Sequence, residues 1–156
     1  MMSPEIECYQ WDRNHLQWPY KSSEKPDLIF MDPPYFKKKA DDYAKTSISN
    51  LSKSDYLAFF KEFFQLAYAQ SKSSTRIAFL NSDWRNFQGI SAIKEDERDS
   101  ILIFDYSKLM SDAGWKITQY IDCPMSSQRF HPGFVSQMQK NRILGVVRRT
   151  LIIARK

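Results

Sequence analysis

Cysteine and histidine are scarce in this sequence, which contains two of each. Cys8 and Cys123 cannot form the multi-bridge framework of a small secreted domain, and they do not have the spacing of a zinc cluster. We therefore expect a protein of a reducing compartment, the cytoplasm by default, and a structural role for Cys123. His15 and His131 leave little material for a transition-metal site, so we expect surface or capping roles for them and no bound metal.

Long hydrophobic runs are also missing. No apolar stretch approaches the roughly 20 residues that a membrane-spanning helix needs, and no basic segment followed by an apolar one opens the sequence. The 42% of apolar and 26% of charged residues are ordinary for a soluble globular protein. A length of 156 residues predicts a single domain, residues 1–156, built around one core.

Positive charge is in excess. The net charge is +5 and the isoelectric point is about 9.2, which favours a polyanionic partner, and nucleic acid above others. Aromatic residues make up 15% of the sequence, and aromatic faces beside cations suit unstacked bases. Most of these rings are nevertheless expected in the core. In particular, a stripe at helical spacing is interpreted as core: Tyr56, Phe59, Phe60, Phe63 and Ala67.

Strand and helix patterns alternate along the chain. Short, solidly apolar runs are typical of parallel strands that are covered on both faces. Ser52 and Asp55 resemble a capping box that opens a helix, and Gly114 is placed to stop a second one. Strands are predicted at 5–10, 27–31, 76–80, 115–121 and 150–154, and helices at 52–67 and 103–110. This order predicts an α/β fold with a mainly parallel sheet.

Polar side chains stand where three of the predicted strands end. Asp12, Asp32 and Asn81 each follow an apolar or alternating run. In open α/β sheets, ligands bind at the carboxyl ends of the strands. The sequence therefore predicts a ligand site at that edge.

The stretch 27-DLIFMDPPYFKKK-39 carries the most specific chemistry. An exocyclic amino group on a base is a poor nucleophile because its lone pair is delocalised into the ring. Two acceptors that hold its N–H groups, the Asp32 carboxylate and the Pro33 carbonyl, would turn the lone pair towards an electrophile. The proline ring fixes φ, so this carbonyl is held in advance.

The residues that follow fit the same reaction. Tyr35 offers a face for a base that has left its stack, and Phe36 could extend that wall. The lysines 37, 38 and 39 would meet the phosphates of the surrounding strand. The alternative is a strand that ends in a proline turn with solvated lysines behind it, and we favour the functional interpretation because Asp-Pro-Pro-Tyr directly after an apolar strand is rare.

The segment 27-DLIFMDPPYF-36 resembles the catalytic motif of amino-group methyltransferases that depend on S-adenosylmethionine, chiefly the DNA adenine-N6 enzymes. The order of elements up to 149-RTLIIARK-156 is similar as well. The resemblance implies a Rossmann-like methyltransferase sheet with helices on both faces and a terminal antiparallel strand. It also implies S-adenosylmethionine as cofactor and DNA as partner. Asp32, Pro33, Pro34 and Tyr35 would position the target amine, and Asp12, Asp32, Pro33 and Phe36 are the candidate cofactor contacts.

One signature of that family is missing. Its glycine-rich turn cups the methionine part of the cofactor, but the glycines here stand at 89, 114, 133 and 145, with no two close together. Residues without a Cβ allow the backbone to approach a ligand closely, so nothing in this sequence can replace the turn. In the family, the strand that carries the turn lies beside the Asp-Pro-Pro-Tyr strand, so the sheet is expected to be incomplete there. A second polypeptide could supply the missing strand and turn, the strand at 5–10 could cover the open edge of the sheet, or the protein could bind without catalysing.

Several other residues are candidates for contact with nucleic acid. Asn81 could line the base pocket or could cap a plain strand-to-helix turn. Arg129 lies in a long connection, 125-MSSQRFHPGF-134, which is slightly favoured as a target contact. Arg148 and Arg149, with Lys140 and Arg142, form a basic cluster that suits phosphates or a solvated surface equally. The competing functions are the same chemistry on cytosine N4 or an RNA base, and an inactive DNA-binding subunit.

Overall fold

A mixed four-stranded sheet and three α-helices make up the described part of the chain. The computed structural model describes residues 13–14, 16–18, 25–37, 45–83, 101–124, 132–141 and 148–156. The strands are β1 (Leu28–Met31), β2 (Arg76–Asn81), β3 (Lys116–Pro124) and β4 (Arg148–Arg155), and the helices are α1 (Lys53–Ala69), α2 (Leu102–Asp112) and α3 (Pro132–Asn141). The strand predicted at 5–10 lies outside the described residues, as do Asp12, Lys38, Lys39 and Arg129.

The strands lie in the order β1-β2-β4-β3. β1 pairs with β2 in parallel, whereas β4 pairs antiparallel with both β2 and β3. β1, β2 and β3 therefore run in one direction, and the last strand is inserted between two of them in the opposite direction. The predicted terminal antiparallel strand is confirmed. The prediction of a mainly parallel sheet is correct for strand direction, but only one of the described pairings is parallel, because β4 separates β2 from β3.

The first helix begins as the sequence predicts. The Ser52 hydroxyl accepts a hydrogen bond from the backbone N–H of Asp55 at 3.1 Å and donates to the Asp55 carboxylate at 2.7 Å. These bonds satisfy a backbone N–H that the first turn of a helix leaves without an intrahelical partner. The inward side of α1 is aromatic, and Tyr56, Phe60 and Phe63 are buried there. The aromatic stripe is therefore core, as predicted.

The second helix ends at a glycine stop. Gly114 has φ +101°, a left-handed conformation that residues with a Cβ rarely adopt. The backbone N–H of Trp115 donates to the Met110 carbonyl at 3.0 Å, and that of Gly114 donates to the Ser111 carbonyl at 3.0 Å. A Cβ at position 114 would lie 2.8 Å from the Tyr68 ring. Both backbone conformation and space therefore require glycine here.

The core lies between one face of the sheet and the two helices α1 and α2. Phe79 of β2 is its centre, with ring centroids 5.3 Å from Phe60 and 5.1 Å from Tyr106. Trp115 closes one end, where its indole N–H donates to the Phe64 carbonyl at 3.1 Å. Because α1 and α2 both reach Phe79, they pack on the same face. α1 and α2 therefore cover only one face of the sheet, whereas helices on both faces were predicted.

The opposite face of the sheet is exposed at β1, which is one of the two edge strands of the described sheet. Leu28 is 59% exposed and Phe30 is 62% exposed, whereas Ile29 and Met31, which alternate with them, pack against the core. Side chains of a strand point alternately to its two faces. Leu28 and Phe30 therefore lie on the face away from α1 and α2. Within the described ranges, none of the helices has the length and apolarity required to cross a bilayer.

Candidate functional site

The Asp-Pro-Pro-Tyr segment leaves the carboxyl end of β1, where the sheet-edge site is predicted. Asp32 is exposed, Pro33 is buried, and the hydroxyl oxygen of Tyr35 is buried although its ring is only partly so. Lys37 then adopts a left-handed conformation with φ 51°, and its backbone N–H donates to the Ser49 carbonyl at 3.1 Å. Non-glycine residues seldom have positive φ. The chain thus makes a sharp, anchored turn directly behind the motif.

A chain of hydrogen bonds braces the motif from the core. The Tyr56 hydroxyl, on α1, donates to the Pro34 carbonyl at 3.0 Å. The Asn81 side-chain amide, at the end of β2, donates in turn to the Tyr56 hydroxyl at 3.4 Å, and its oxygen accepts from the backbone N–H of Ser82 at 2.8 Å. Burial raises the pKa of Tyr56, and hydrogen bonds with Tyr106 and Asn81 oppose the rise. Tyr56 therefore remains a neutral donor at neutral pH.

Asn81 is fully buried, and both ends of its amide are engaged in this brace. The interpretation of 81-NSDW-84 as a capped turn gains further support from Asp83, whose carboxylate accepts from the backbone N–H of Ile103 at the start of α2 at 3.0 Å. Asn and Asp commonly satisfy backbone groups in this way. A contact between Asn81 and nucleic acid stays a prediction.

Phe36 points into the core. It is fully buried, and its ring centroid lies 5.2 Å from that of Tyr56. The ammonium of Lys37 lies 5.5 Å from the Phe36 ring, within the range of a cation–π contact. These contacts give Phe36 a packing role behind the motif, and its predicted cofactor contact stays a prediction.

Tyr35 meets two charged side chains. The pKa of Tyr35 is raised to about 12. Burial is the largest cause, a hydrogen bond with Arg149 opposes the rise, and a hydrogen bond with Asp32 and its negative charge add to it. The pKa of Arg149 is raised in return, chiefly by the hydrogen bond with Tyr35. The carboxylate, the phenol and the guanidinium are thus neighbours. The phenol stays protonated at neutral pH, so its ring carries no charge.

The strand register explains how a residue near the end of the chain reaches this motif. Asn81, the last residue of β2, pairs with Thr150 of β4, and Arg149 pairs with Cys123 of β3. Because β4 runs antiparallel to β2, its first residues lie at the carboxyl edge of β2. Arg149 therefore lies one residue beyond the end of β2, at the same edge of the sheet as the end of β1, where the motif begins.

The two neighbouring arginines of β4 have different environments. The exposed guanidinium of Arg148 lies 2.7 Å from the carboxylate of Asp122 on β3. Arg149, as the next residue along the strand, points to the other face and interacts with Tyr35. The sequence grouped these arginines in one basic cluster, and the structure separates them. It also reveals Tyr56 as a polar brace, a role that its place in an aromatic stripe does not signal.

The described residues bring together Asp32, Pro33, Pro34, Tyr35 and Arg149, with Asn81 behind them. An exposed carboxylate beside a fixed proline carbonyl offers two acceptors, and the adjacent phenol ring offers an uncharged face. Such a constellation suits a planar ligand that bears an N–H₂ group. Among the described residues, no cluster of three or more His, Cys, Asp or Glu side chains could hold a metal ion.

The sequence matches no family model and no curated protein. Among solved structures, the chain is similar to a provisionally named DNA modification methylase of Thermus thermophilus, crystallised with S-adenosyl-L-methionine. The TM-score is 0.52 at 13% sequence identity, and the match covers 86% of this chain and 51% of that one. The fold is methyltransferase-like. In this methyltransferase-like sheet, the motif occupies the carboxyl edge, and the chain spans about half the length of the solved protein.

Proposed function

We propose that the chain is the catalytic part of a methyltransferase that transfers a methyl group from S-adenosylmethionine to the exocyclic N6 amino group of adenine in DNA. The observation that carries this proposal is the geometry of the motif: Asp32, Pro33 and Tyr35 leave the carboxyl end of a strand in a methyltransferase-like sheet. The Tyr56 brace supports it, because it holds the motif rigidly from the core.

In this mechanism, the chain orients the amine. The Asp32 carboxylate and the Pro33 carbonyl accept its two N–H groups, so that the nitrogen lone pair is turned out of the ring plane. The Pro34 carbonyl already accepts a hydrogen bond from Tyr56, which supports the assignment of the second acceptor to Pro33. Asp32 is exposed and can also take up the proton that the methylated nitrogen loses. S-adenosylmethionine, when bound, supplies the electrophilic methyl group on a sulfonium.

Tyr35 supports the base in this proposal. An adenine inside a duplex cannot be reached at its amino group, so the base must leave the stack and be held elsewhere. An aromatic face is worth roughly 1–3 kcal/mol per stacked base. A pKa of about 12 keeps the Tyr35 phenol neutral, so its ring presents no charge to the base. Lys37 and Arg148, and the residues Lys38, Lys39 and Arg129 outside the described ranges, are the proposed phosphate contacts.

The proposed cofactor rests on the solved methylase, which was crystallised with S-adenosyl-L-methionine. Asp32 and Pro33, together with Asp12 and Phe36, are the candidate contacts in this chain. A second polypeptide is proposed to complete the cofactor site. The exposed apolar side chains of Leu28 and Phe30 on β1, an edge strand of the described sheet, support this arrangement, because exposed apolar edge strands favour pairing with another strand.

Calorimetry tests the cofactor arrangement. The purified chain is expected to bind S-adenosylmethionine weakly or not at all by itself. Tight binding by the chain alone would refute the need for a second polypeptide while leaving the reaction itself intact.

Methyl transfer with a labelled donor on mixed DNA and RNA substrates tests the reaction, and analysis of the methylated nucleosides identifies the base and atom. N6-methyladenine in DNA is the expected product. Methylated cytosine N4 or a methylated RNA base would mean that the same mechanism acts on another amino group. DNA binding without any turnover, even alongside candidate partner proteins, would replace the proposal with an inactive DNA-binding subunit.

A further inference from the structure

The side-chain amide of Asn81 has a fixed orientation. Its oxygen accepts a hydrogen bond from the backbone N–H of Ser82 at 2.8 Å, so its NH₂ group faces the Tyr56 hydroxyl at 3.4 Å. Asn81 is fully buried. A reversed amide would bring its NH₂ group against the N–H of Ser82, where two donors would meet without an acceptor. The backbone therefore determines which end of the amide faces Tyr56.

The orientation of Asn81 sets the direction of the next hydrogen bond. A hydroxyl has one proton to donate and lone pairs with which to accept. Because the NH₂ group of Asn81 can only donate, the Tyr56 hydroxyl accepts from it. The single hydroxyl proton is then available for the Pro34 carbonyl, which lies 3.0 Å away. All the bonds of this brace thus run in one direction, from the end of β2 to the motif.

The backbone segment that the brace holds is stiff. The proline rings restrict φ at Pro33 and Pro34, and a residue that precedes a proline is confined to extended values of ψ. Asp32 and Pro33 each precede a proline. A carbonyl that is anchored at Pro34 therefore limits the directions in which the Pro33 carbonyl can point. One hydrogen bond at Pro34 is enough to orient its neighbour.

We propose that Asn81 is a positioning residue: through the fixed direction of its bond with Tyr56, it anchors Pro34 and so orients the Pro33 carbonyl that accepts the target amine. Asn81 acts from behind the motif and is not a contact of nucleic acid. The identity of the amine rests on the proposed function, whereas the link between Asn81 and Pro34 can be tested without any turnover.

Asn81→Asp reverses the polarity at nearly constant size. An ionised carboxylate only accepts, so it competes with the Pro34 carbonyl for the proton of Tyr56. At about pH 9, the new carboxylate is ionised, and burial raises the pKa of Tyr56, so the phenol keeps its proton. Gln119→Glu makes the same change from amide to carboxylate at an exposed position of β3 and is the matched control.

Carbonyl NMR measures the last bond of the brace directly. Pro-Tyr bonds occur in the sequence only at 19–20 and 34–35. Protein labelled with ¹³C at the proline carbonyl and with ¹⁵N in tyrosine therefore gives two signals in a carbon-detected carbonyl–nitrogen spectrum. Tyr35→Phe removes one of them and so assigns the Pro34 signal. The other signal is an internal reference for general effects of pH and charge.

A carbonyl carbon that loses its hydrogen-bond donor moves upfield. At about pH 9, Asn81→Asp and Tyr56→Phe are each expected to move the Pro34 signal upfield, and Gln119→Glu is expected to leave it in place. Asn81→Leu, which removes the NH₂ group without adding charge, is expected to move it less and serves if Asn81→Asp does not fold. A Pro34 signal that stays in place in the folded Asn81 variants would overturn the proposal.

The double variant tests whether the effect passes through Tyr56. Because Tyr56→Phe already breaks the brace, Asn81→Asp is expected to move the Pro34 signal in that background no further than Gln119→Glu does. An equal movement with and without the Tyr56 hydroxyl would refute the positioning role. These signals do not depend on catalysis, so a failure of the proposed reaction would leave them interpretable.

Steady-state methyl transfer separates positioning from contact with DNA. Asn81→Asp is expected to lower kcat at least about tenfold and to leave KM for DNA within about twofold, because a misplaced acceptor affects the reacting amine and not the binding of phosphates. A raised KM with an unchanged kcat would assign Asn81 to DNA binding and would overturn the proposal.

Discussion

The Tyr56 hydroxyl donates a 3.0 Å hydrogen bond to the Pro34 carbonyl and accepts one from the Asn81 amide. Through these bonds, one tyrosine joins the first helix, the end of β2 and the Asp-Pro-Pro-Tyr segment. Tyr56 is fully buried. Neither the Pro34 carbonyl nor the Asn81 amide can therefore exchange the Tyr56 hydroxyl for water without a cost in free energy. The brace therefore links the stability of the core to the geometry of the motif.

Substitution of this hydroxyl tests the brace. Tyr56→Phe keeps the ring but leaves the Pro34 carbonyl without its donor and the Asn81 amide without its acceptor. We expect a loss of about 1–3 kcal/mol in the free energy of unfolding, measured by urea denaturation, together with reduced methyl transfer. Tyr120→Phe, which removes a hydroxyl from an exposed tyrosine of β3, should change stability by less than about 0.5 kcal/mol. Equal stability changes in the two variants would contradict a bracing role.

The carboxylate of the motif has a matched control on the same strand segment. Asp32 follows β1, and Asp27 precedes it and forms an exposed ion pair with Lys72. Asp32→Ala is expected to abolish methyl transfer, because one of the two acceptors of the amine is lost. The variant should still fold, because Asp32 is exposed and lies outside the core, and a cooperative urea-unfolding transition checks this. Asp27→Ala should retain transfer, and wild-type activity in Asp32→Ala would refute the mechanism.

Two glycine-to-alanine substitutions are expected to have opposite effects. Gly114→Ala places a Cβ at positive φ and 2.8 Å from the Tyr68 ring, so it should destabilise the fold by about 1–3 kcal/mol. Gly133 is an exposed residue of α3. Gly133→Ala should stabilise the helix by up to about 1 kcal/mol, because alanine loses less backbone entropy. Thermal or urea unfolding distinguishes the signs, and a neutral Gly114→Ala would contradict the described C-terminal stop of α2.

The raised pKa of Tyr35 predicts a dependence of stability on alkaline pH. The folded phenol has a pKa of about 12, above its ordinary value of 10.0. Between these values, the unfolded chain releases the proton while the folded protein keeps it, so the contribution of Tyr35 is complete below pH 10 and decreases as pH rises towards 12. We expect the unfolding free energy of the wild type to fall more steeply over this range than that of Tyr35→Phe. Parallel curves from urea unfolding at several pH values would contradict the raised pKa.

The sequence predicted the local features well because they depend on residues close together. Ser52 and Asp55 form the start of α1 within one turn, and Gly114 stops α2 through its own backbone freedom. The apolar run before Asp32 and the one at 76–80 predicted β1 and β2 correctly. In each case, the deciding interaction lies within a few residues of the sequence, so a local sequence pattern is enough to predict it.

The contacts between distant parts of the chain could not be predicted in the same way. The sequence offered no sign that β4 would lie between β2 and β3, so it could not distinguish Arg148 from Arg149. It also could not show that Tyr56, one of several aromatic residues in a helical stripe, would donate to Pro34. Pairing order and hydrogen-bond partners are set by the packing of whole elements, which no local pattern encodes.

The sequence by itself determined that a rigid acid–proline–aromatic segment follows an apolar strand, because apolar patterning and the fixed φ of proline act locally. Only the tertiary structure decided which side chains surround that segment. The antiparallel insertion of β4 brought Arg149 to the edge of the sheet where the motif begins, and the packing of α1 on Phe79 brought Tyr56 to Pro34. These contacts depend on the three-dimensional register of strands and helices, in which residues far apart in sequence become neighbours.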